Sequence, residues 1–313
     1  MSVPTDLDAG SEGNPDSDPE ASPDADPKGA TETNNERRLI FAMGGGGFTM
    51  EPTNPLLDDF VLSLAPAGVT TPRILFLPTA SGDTNAQINA FQARFAGRAC
   101  VPEHLSLFHL RDLQRSLQDT VLEQDIIYVG GGSMRNLLAI WQAHGLDELL
   151  IEAWRRGTVL AGLSAGAMCW FEGGISRSSG PPEPFPGLGL LDGSLTVHAD
   201  GEPERLPVWL AAVRRGELPG GWAVDDGVGL LFCGERLTRV VSSRPGAGAQ
   251  RVDAIAGELV RKRIEPELLG GDSEARTPAI DEDVQELRQV QRLRHGMLRT
   301  GPFGTGGHGV RGP

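Results

Sequence analysis

The sequence is poor in cysteine and contains no long hydrophobic run. Its 313 residues include three cysteines, Cys100, Cys169 and Cys233, and none of them belongs to a Cys-x-x-Cys pair. Because zinc sites and redox disulfides use closely spaced cysteine pairs, this distribution argues against both and indicates reduced thiols. No apolar stretch approaches the roughly 18 residues that a membrane-spanning helix requires, and the N-terminus is acidic where a signal peptide would be basic and then hydrophobic. We therefore expect a cytoplasmic protein.

Positive charge is scarce as well. Lysine and arginine total 28 against 42 acidic residues, which gives a formal net charge of −14. Residues 1–36 hold ten of these acids and one base, Lys28, and they contain almost no aliphatic side chains. Such a composition cannot bury enough surface to offset the entropy of ordering, so it predicts a disordered acidic tail. Nucleic acids and anionic lipids are bound through basic patches, and we expect neither as a partner.

Beyond residue 36, short apolar runs alternate with amphipathic stretches. The apolar runs lie at Leu39–Met43, 73–77, 105–110, 126–129 and 158–161. The amphipathic stretches lie at 56–66, 85–97, 134–143 and 146–156. Strands that alternate with helices predict a doubly wound, mostly parallel α/β sheet. Ligands bind such sheets beyond the carboxyl ends of the strands, so the loops that follow the strands are expected to form the site.

The second half of the chain changes character. Strand-like runs lie at 194–198, 221–225, 228–232 and 237–243. We expect these runs to extend the sheet with antiparallel strands. We expect an α/β domain at 37–262 and a C-terminal extension at 263–313 that is partly disordered, with a helix predicted at 281–299.

The segment Val159–Cys169 combines an apolar strand, a tight turn and the start of a helix. The turn reads Gly-Leu-Ser-Ala-Gly, and glycines on both sides of Ser164 allow a sharp bend that exposes the hydroxyl. The backbone N–H of Ala165 has no partner within the helix and would point toward an oxyanion formed beside Ser164. The segment predicts a nucleophile and one oxyanion donor, although Gly-x-Ser-x-Gly also occurs in ordinary turns.

A serine nucleophile requires a base and an acid that orients it. Of six histidines, His198 ends the apolar run 194–198 and is the candidate base, because a strand would present it at the edge of the sheet. Asp225 and Asp226 follow another apolar run and supply the candidate acid, which would hold the imidazole in the tautomer that accepts the serine proton. Asp-Gly also favours tight turns, so a purely structural turn is the alternative.

Two glycine runs follow predicted strands, at 44–47 and at 130–132. The bare N–H groups of 130–132 suit either a phosphate or a reacting carbonyl. Neither run carries the Lys-Ser/Thr ending of a P-loop or the Gly-x-Gly-x-x-Gly pattern with a downstream acid. We therefore favour an oxyanion donor within the 130–132 run, and no cofactor is expected.

Four segments, in this order, resemble the peptidase E-like serine peptidases, a family that includes aspartyl dipeptidases and is related to cyanophycinases. They are GGGSMRNLL at 130–138, LAGLSAGAMCWF at 160–171, GLGLL at 187–191 and HADGEPER at 198–205. The resemblance covers about Leu39 to Val260. It implies a flavodoxin-like fold related to class I amidotransferases, with a serine where those relatives carry a cysteine nucleophile.

The resemblance also implies roles for individual residues. Ser164 corresponds to the nucleophile, His198 to the base and Asp226 to the orienting acid, while Gly131 or Gly132 and Ala165 correspond to the oxyanion donors. No metal is implied. The order Ser, His, Asp along the chain differs from that of α/β-hydrolases and argues against an esterase or lipase.

Three departures from the family pattern affect these expectations. Ser133 stands where relatives often carry Asn or Asp, which weakens the expected anchoring of the glycine loop. Arg177 lies where relatives commonly carry Asp, which puts the aspartyl preference in question. Asp226 is shorter than the Glu of aspartyl dipeptidases, so its backbone must lie closer to the histidine.

The expected activity is hydrolysis of short peptides, in particular dipeptides with an N-terminal Asp, through an acyl-enzyme on Ser164. Arg205 and Arg177 are candidate readers of a substrate carboxylate, and Gly45 and Gly46 are expected to help bind substrate. For Arg205, pairing with Glu202 or Glu204 is the structural alternative. Alternative functions are a cyanophycinase-like hydrolase of β-aspartyl peptides, a non-catalytic small-molecule-binding protein, and a nucleotide-binding regulator.

Overall fold

The structure is a computed structural model that describes residues 38–270. The predicted acidic tail at 1–36 and the possible helix at 281–299 lie outside the described residues.

The described residues contain fourteen strands. They are β1 (Leu39–Met43), β2 (Arg73–Leu77), β3 (Val101–His104), β4 (Ile126–Val129), β5 (Val159–Leu163), β6 (Phe171–Ser176), β7 (Glu183–Pro186), β8 (Leu191–Thr196), β9 (Gly221–Val224), β10 (Val228–Cys233), β11 (Arg236–Ser242), β12 (Ala249–Ile255), β13 (Glu258–Ile264) and β14 (Glu267–Leu268).

Eight α-helices lie between these strands in the same part of the chain. They are α1 (Gly47–Met50), α2 (Leu56–Ser63), α3 (Asn85–Phe95), α4 (Leu117–Leu122), α5 (Met134–His144), α6 (Leu146–Arg156), α7 (Ala165–Met168) and α8 (Arg205–Arg215).

The first sheet has eight strands in the order β14-β11-β10-β1-β5-β4-β2-β3. Strands β1 to β5 are mutually parallel, and β10 joins β1 antiparallel, with β11 antiparallel to β10. Because β5 lies between β1 and β4, the loops after these three strands meet at one edge of the sheet. Those loops contain the two glycine runs and Ser164.

Helices cover both faces of the parallel strands. Successive residues of a strand point to opposite faces, and in β2 Leu75 and Leu77 pack with the buried residues of α5 and α6, while Ile74 and Phe76 pack with those of α2 and α3. Strand β5 is buried along its whole length. This three-layer arrangement confirms the predicted doubly wound α/β fold with antiparallel additions.

A second sheet has six strands in the order β13-β12-β9-β8-β6-β7. Helix α8 covers one of its faces, where Trp209 and Val213 pack on Ile175 and Val252. The expectation that 194–198 and 221–225 extend the first sheet was therefore wrong, since β8 and β9 pair with each other in the second sheet. Only the 228–232 and 237–243 runs extend the first sheet, as β10 and β11.

The apolar run at 105–110 was also misinterpreted as a strand. The pairing with β2 comes from Val101–His104, just before the run, and Leu107–Asp112 forms a 3₁₀ helix. Strand β3 is an edge strand whose residues are half-buried or exposed, and it contains Pro102, so it carries no apolar pattern. Burial of Leu105 and Leu107 accounts for the apolar character of the next segment.

Candidate active site

Ser164 occupies a sharp turn between β5 and α7. Its backbone has φ 53° and ψ −114°, a strained conformation for a residue with a side chain. A Cβ on Gly162 would lie 2.0 Å from the carbonyl oxygen of Gly166, and a Cβ on Gly166 would lie 2.5 Å from that of Val129. Both glycines are therefore needed for the backbone to bend this tightly, and the bend presents the hydroxyl of Ser164 beyond the end of β5.

The hydroxyl of Ser164 meets an imidazole that comes from the second sheet. His198 follows β8, and its Nε2 lies 2.9 Å from the Oγ of Ser164. The backbone of His198 also has a positive φ of 53°, and the carbonyl of His198 accepts hydrogen bonds from the N–H groups of Gly201 and Glu202. The turn after β8 thus holds the imidazole against the serine.

Asp226 lies on the other side of the imidazole. Its Oδ1 is 2.5 Å from the Nδ1 of His198. The neighbouring Asp225 points elsewhere, because its Oδ2 accepts a hydrogen bond of 2.9 Å from the N–H of Gly248, just before β12. Burial raises the pKa of Asp225. Of the two aspartates, only Asp226 contacts the histidine.

Two charged side chains hold the peptide groups of Asp226. Its N–H donates to the Oδ1 of Asp200 at 2.9 Å, and its carbonyl accepts from the Nε of Arg244 at 2.7 Å. Asp200 and Arg244 also form an ion pair with each other. Burial alone would raise the pKa of Asp200, but the hydrogen bonds from Asp226 and Arg244 outweigh it and hold that pKa below its ordinary value.

The first glycine run packs against this histidine and aspartate. A Cβ on Gly45 would lie 2.0 Å from the Oδ1 of Asp226 and 2.9 Å from the ring of His198. The carbonyl of Gly45 accepts a hydrogen bond from the N–H of Gly227. A Cβ on Gly46 would meet Glu51 at 2.7 Å. The structure thus places Gly45 against the imidazole and Asp226, and Gly46 against Glu51.

The second glycine run lies beside the serine. A Cβ on Gly131 would be 3.3 Å from the Cβ of Ser164, and Gly132 has φ 143°. Ala165 is buried at the first position of α7, where a backbone N–H has no partner within its helix. Ser133 caps α5, because its Oγ accepts a hydrogen bond from the N–H of Asn136. Ser133 thus anchors the end of the loop to the start of α5.

A cavity of about 290 Å³ opens next to Ser164. Gly132 and Ser133 line one part of it, and Ser176, Arg177 and Arg205 line another. Its volume lies at the lower end of the range of about 300–1,000 Å³ that is typical of pockets for small organic ligands. Both predicted arginines reach it, whereas Gly45 and Gly46 are not among its lining residues.

The two arginines share acidic partners. Arg205 is buried, and its Nη2 lies 2.9 Å from the Oε2 of Glu202, while its Nη1 donates to the carbonyl of Ile175 at 2.5 Å. Arg177 is exposed and lies 3.0 Å from both Glu202 and Glu204. Arg205 thus pairs with Glu202, as the structural alternative expected. Arg177 has the more accessible guanidinium of the two.

Within residues 38–270, no group of His, Cys, Asp and Glu side chains is arranged to hold a metal ion. In the same part of the chain, no helix has the length and apolar character needed to cross a bilayer.

Comparison with known proteins identifies the family. Residues 40–240 match peptidase family S51, the peptidase E family. The chain belongs to this family. It is 46% identical over 233 residues to the uncharacterized peptidase YgaJ of Bacillus subtilis (strain 168), an alignment that covers 74% of this chain and all of the relative.

A solved structure shares the fold. A peptidase from an acI-B1 Actinobacterium superposes with a TM-score of 0.53 at 18% identity, covering 73% of this chain and 94% of the other. The resemblance that the four sequence segments predicted is confirmed at the level of family and fold. The S51 chain is thus a serine-type peptidase, a hydrolase.

Sequence reasoning missed several residues of the site. Asp200 stands within the HADGEPER segment, and its position two residues after His198 was a signal that could have found it. Arg244 gave no such signal, because it lies 18 residues from Asp226 in a turn that reads as an ordinary Arg-Pro-Gly reversal.

Proposed function

We propose that this protein is a dipeptidase that forms an acyl-enzyme on Ser164, with His198 as base and Asp226 as the acid that orients it. One observation carries the proposal. An unbroken series of contacts runs from the Oγ of Ser164 to Nε2 of His198 at 2.9 Å, and from Nδ1 of His198 to Oδ1 of Asp226 at 2.5 Å. Hydrogen-bond reach between nucleophile, base and orienting group is what this chemistry requires.

The contacts set the direction of proton transfer. Asp226 is an acceptor when ionised, so it fixes the Nδ1–H tautomer and leaves the lone pair of Nε2 directed at Ser164. His198 takes the hydroxyl proton as Ser164 attacks the scissile carbonyl, and the oxyanion is stabilised by the N–H groups of Ala165 and the 131–132 loop. His198 then gives the proton to the departing amine, and water hydrolyses the acyl-enzyme.

The cavity supports a short substrate with a carboxylate near the scissile bond. A space of about 290 Å³ suits a dipeptide better than a folded chain. The exposed guanidinium of Arg177 can bind a carboxylate through two parallel N–H donors. A substrate carboxylate would there replace Glu204, the present partner of Arg177, whose side chain is largely exposed. Arg205 contributes to this site only indirectly, because its guanidinium is already hydrogen-bonded to the carboxylate of Glu202. We infer a preference for an acidic N-terminal residue.

A panel of α-aspartyl, β-aspartyl and neutral dipeptides tests the proposal. We expect the wild type to cleave α-aspartyl dipeptides fastest and Ser164→Ala to have no activity. Preference for β-aspartyl-arginine peptides would instead indicate a cyanophycinase-like specificity. Equal cleavage by wild type and Ser164→Ala would overturn the mechanism.

A fluorophosphonate probe tests the nucleophile without reference to the substrate. It should label Ser164 in the folded wild type and leave Ser164→Ala unlabelled. A folded wild type that stays unlabelled would support the non-catalytic alternative.

A further inference from the structure

The loop after β4 is held in place by four hydrogen bonds. The N–H of Gly130 donates to the carbonyl of Leu77 at 3.1 Å, and the N–H of Ser133 donates to that of Ala80 at 2.7 Å. Ser133 caps α5, as described above. The fourth bond involves the carbonyl of Gly131, which accepts from the Nε2 of Gln87 at 3.2 Å.

Gln87 reaches this loop from α3, whose Phe91 and Phe95 are buried against the sheet. Because a peptide carbonyl can only accept, the amide nitrogen of Gln87 must face Gly131. The Oε1 of Gln87 is buried without a hydrogen-bond partner among the described residues, and a Cβ on Gly130 would approach it to 2.8 Å. The side chain therefore lies tightly against the glycine run and has one polar contact there.

The direction of the Gly131 carbonyl determines the direction of the next N–H. All peptide bonds of the described chain are trans, and in a trans peptide the C=O and the following N–H point in opposite directions. Since the carbonyl of Gly131 points at Gln87, the N–H of Gly132 points away from Gln87. Gly132 lines the cavity together with Ser164.

We propose that Gln87 is a positioning residue that holds the Gly131–Gly132 peptide in the orientation in which the N–H of Gly132 donates a hydrogen bond to the oxyanion. This inference rests on the proposed function, and it selects Gly132 over Gly131 as the second donor. A Gly-Gly peptide can rotate with little steric cost. Rotation would turn the carbonyl of Gly131 toward the site, and an acceptor there would repel the developing negative charge.

Gln87→Met tests the inference, because it keeps the length of the side chain and removes the donor. We expect kcat to fall about 10- to 100-fold with KM nearly unchanged, since an oxyanion contact forms only in the transition state. Gln92→Met, the same replacement on the same helix, is the matched control and should leave kcat near the wild-type value. Thermal unfolding of each variant establishes that it is folded.

Gln87→Glu gives a readout that a purely structural role would not produce. An ionised carboxylate repels the carbonyl of Gly131, whereas a protonated one donates to it. The ratio of the labelling rates of Gln87→Glu and wild type with the fluorophosphonate should therefore rise as pH falls. A pH-independent ratio, or a Gln87→Met variant labelled as fast as wild type, would overturn the inference.

The two proposals fail in different ways. If the wild type is not labelled at all, the proposed function is wrong. If the wild type is labelled on Ser164 and Gln87→Met is labelled equally fast, the function stands and the role of Gln87 is rejected.

Discussion

At the scale of single residues, the site depends on how close Asp226 comes to His198. An aspartate is one methylene shorter than a glutamate, so its backbone must approach the imidazole. Two glycines make room for it, since a Cβ on Gly45 would lie 2.0 Å from Oδ1 of Asp226 and a Cβ on Gly201 would lie 2.8 Å from Oδ2. Asp200 and Arg244 then fix the peptide groups on both sides.

Adjacent aspartates allow a matched test of this arrangement. We expect Asp226→Asn to lower kcat by about 10⁴-fold, because the amide favours the wrong imidazole tautomer. Asp225→Asn should leave kcat nearly unchanged, since Asp225 contacts the N–H of Gly248 and its amide oxygen can accept the same bond. Steady-state kinetics on the preferred dipeptide measure both. Similar losses in the two variants would contradict the assigned role of Asp226.

At the scale of elements, the site is built from strand ends and helix starts. Ser164 lies between β5 and α7, and Ser133 between the second glycine run and α5. Each of these turns is followed at once by a helix, whose first backbone N–H groups have no acceptor in the backbone of that helix. The capping serine thus contributes to both the stability of α5 and the shape of the loop.

Removing the cap tests this double contribution. Ser133→Ala should lower the free energy of unfolding by about 1 kcal/mol, because the N–H of Asn136 loses its acceptor. Ser133→Asp keeps an acceptor at the same position and should restore most of that stability. Denaturant unfolding monitored by circular dichroism measures the difference. An unchanged unfolding free energy in Ser133→Ala would show that the cap carries no stability.

At the scale of the whole molecule, the site forms where the two sheets meet. Ser164 follows a strand of the eight-stranded sheet, whereas His198 follows a strand of the six-stranded sheet and Asp226 lies in the turn that joins β9 to β10. A buried carboxyl group, that of Asp58, lies next to the first glycine run. Asp58 accepts a hydrogen bond of 3.2 Å from Tyr128 and pairs with Arg94 at 3.0 Å.

Asp58 makes the stability of the fold depend on pH. Burial raises the pKa of its carboxyl to about 6, and Arg94 and Tyr128 offset only part of the shift. Between the unfolded value of 3.8 and the folded value of about 6, the native state holds a proton on Asp58 that the unfolded state has lost, so the contribution of Asp58 to the unfolding free energy falls as pH rises. Across this range the contribution of Asp58 falls by about 3 kcal/mol.

Asp58→Asn removes this titration. Relative to wild type, its unfolding free energy should decline less between pH 4 and 6, as measured by denaturant unfolding at a series of pH values. Parallel pH profiles for the two proteins would show that Asp58 does not titrate in this range.

The sequence alone was sufficient to predict the features that depend on residues close to one another along the chain. Runs of buried residues marked β1, β2 and β4 with their correct bounds, because both faces of these strands are covered. It was insufficient for β3 and for the second sheet. An exposed edge strand has no apolar pattern, and the choice of pairing partner for β8 and β9 depends on packing across the whole molecule.

By itself, the sequence determined the tight turn at Ser164, the helix that follows it and the family to which the chain belongs. These depend on glycines, apolar runs and motifs within short segments, where local sterics decide the backbone. Only the tertiary structure decided that His198 meets Ser164, that Asp226 and not Asp225 meets His198, and that Gln87 meets the carbonyl of Gly131. The physical reason is that hydrogen bonds between residues 28 to 44 positions apart form only when strand ends and helices from different parts of the chain are packed together.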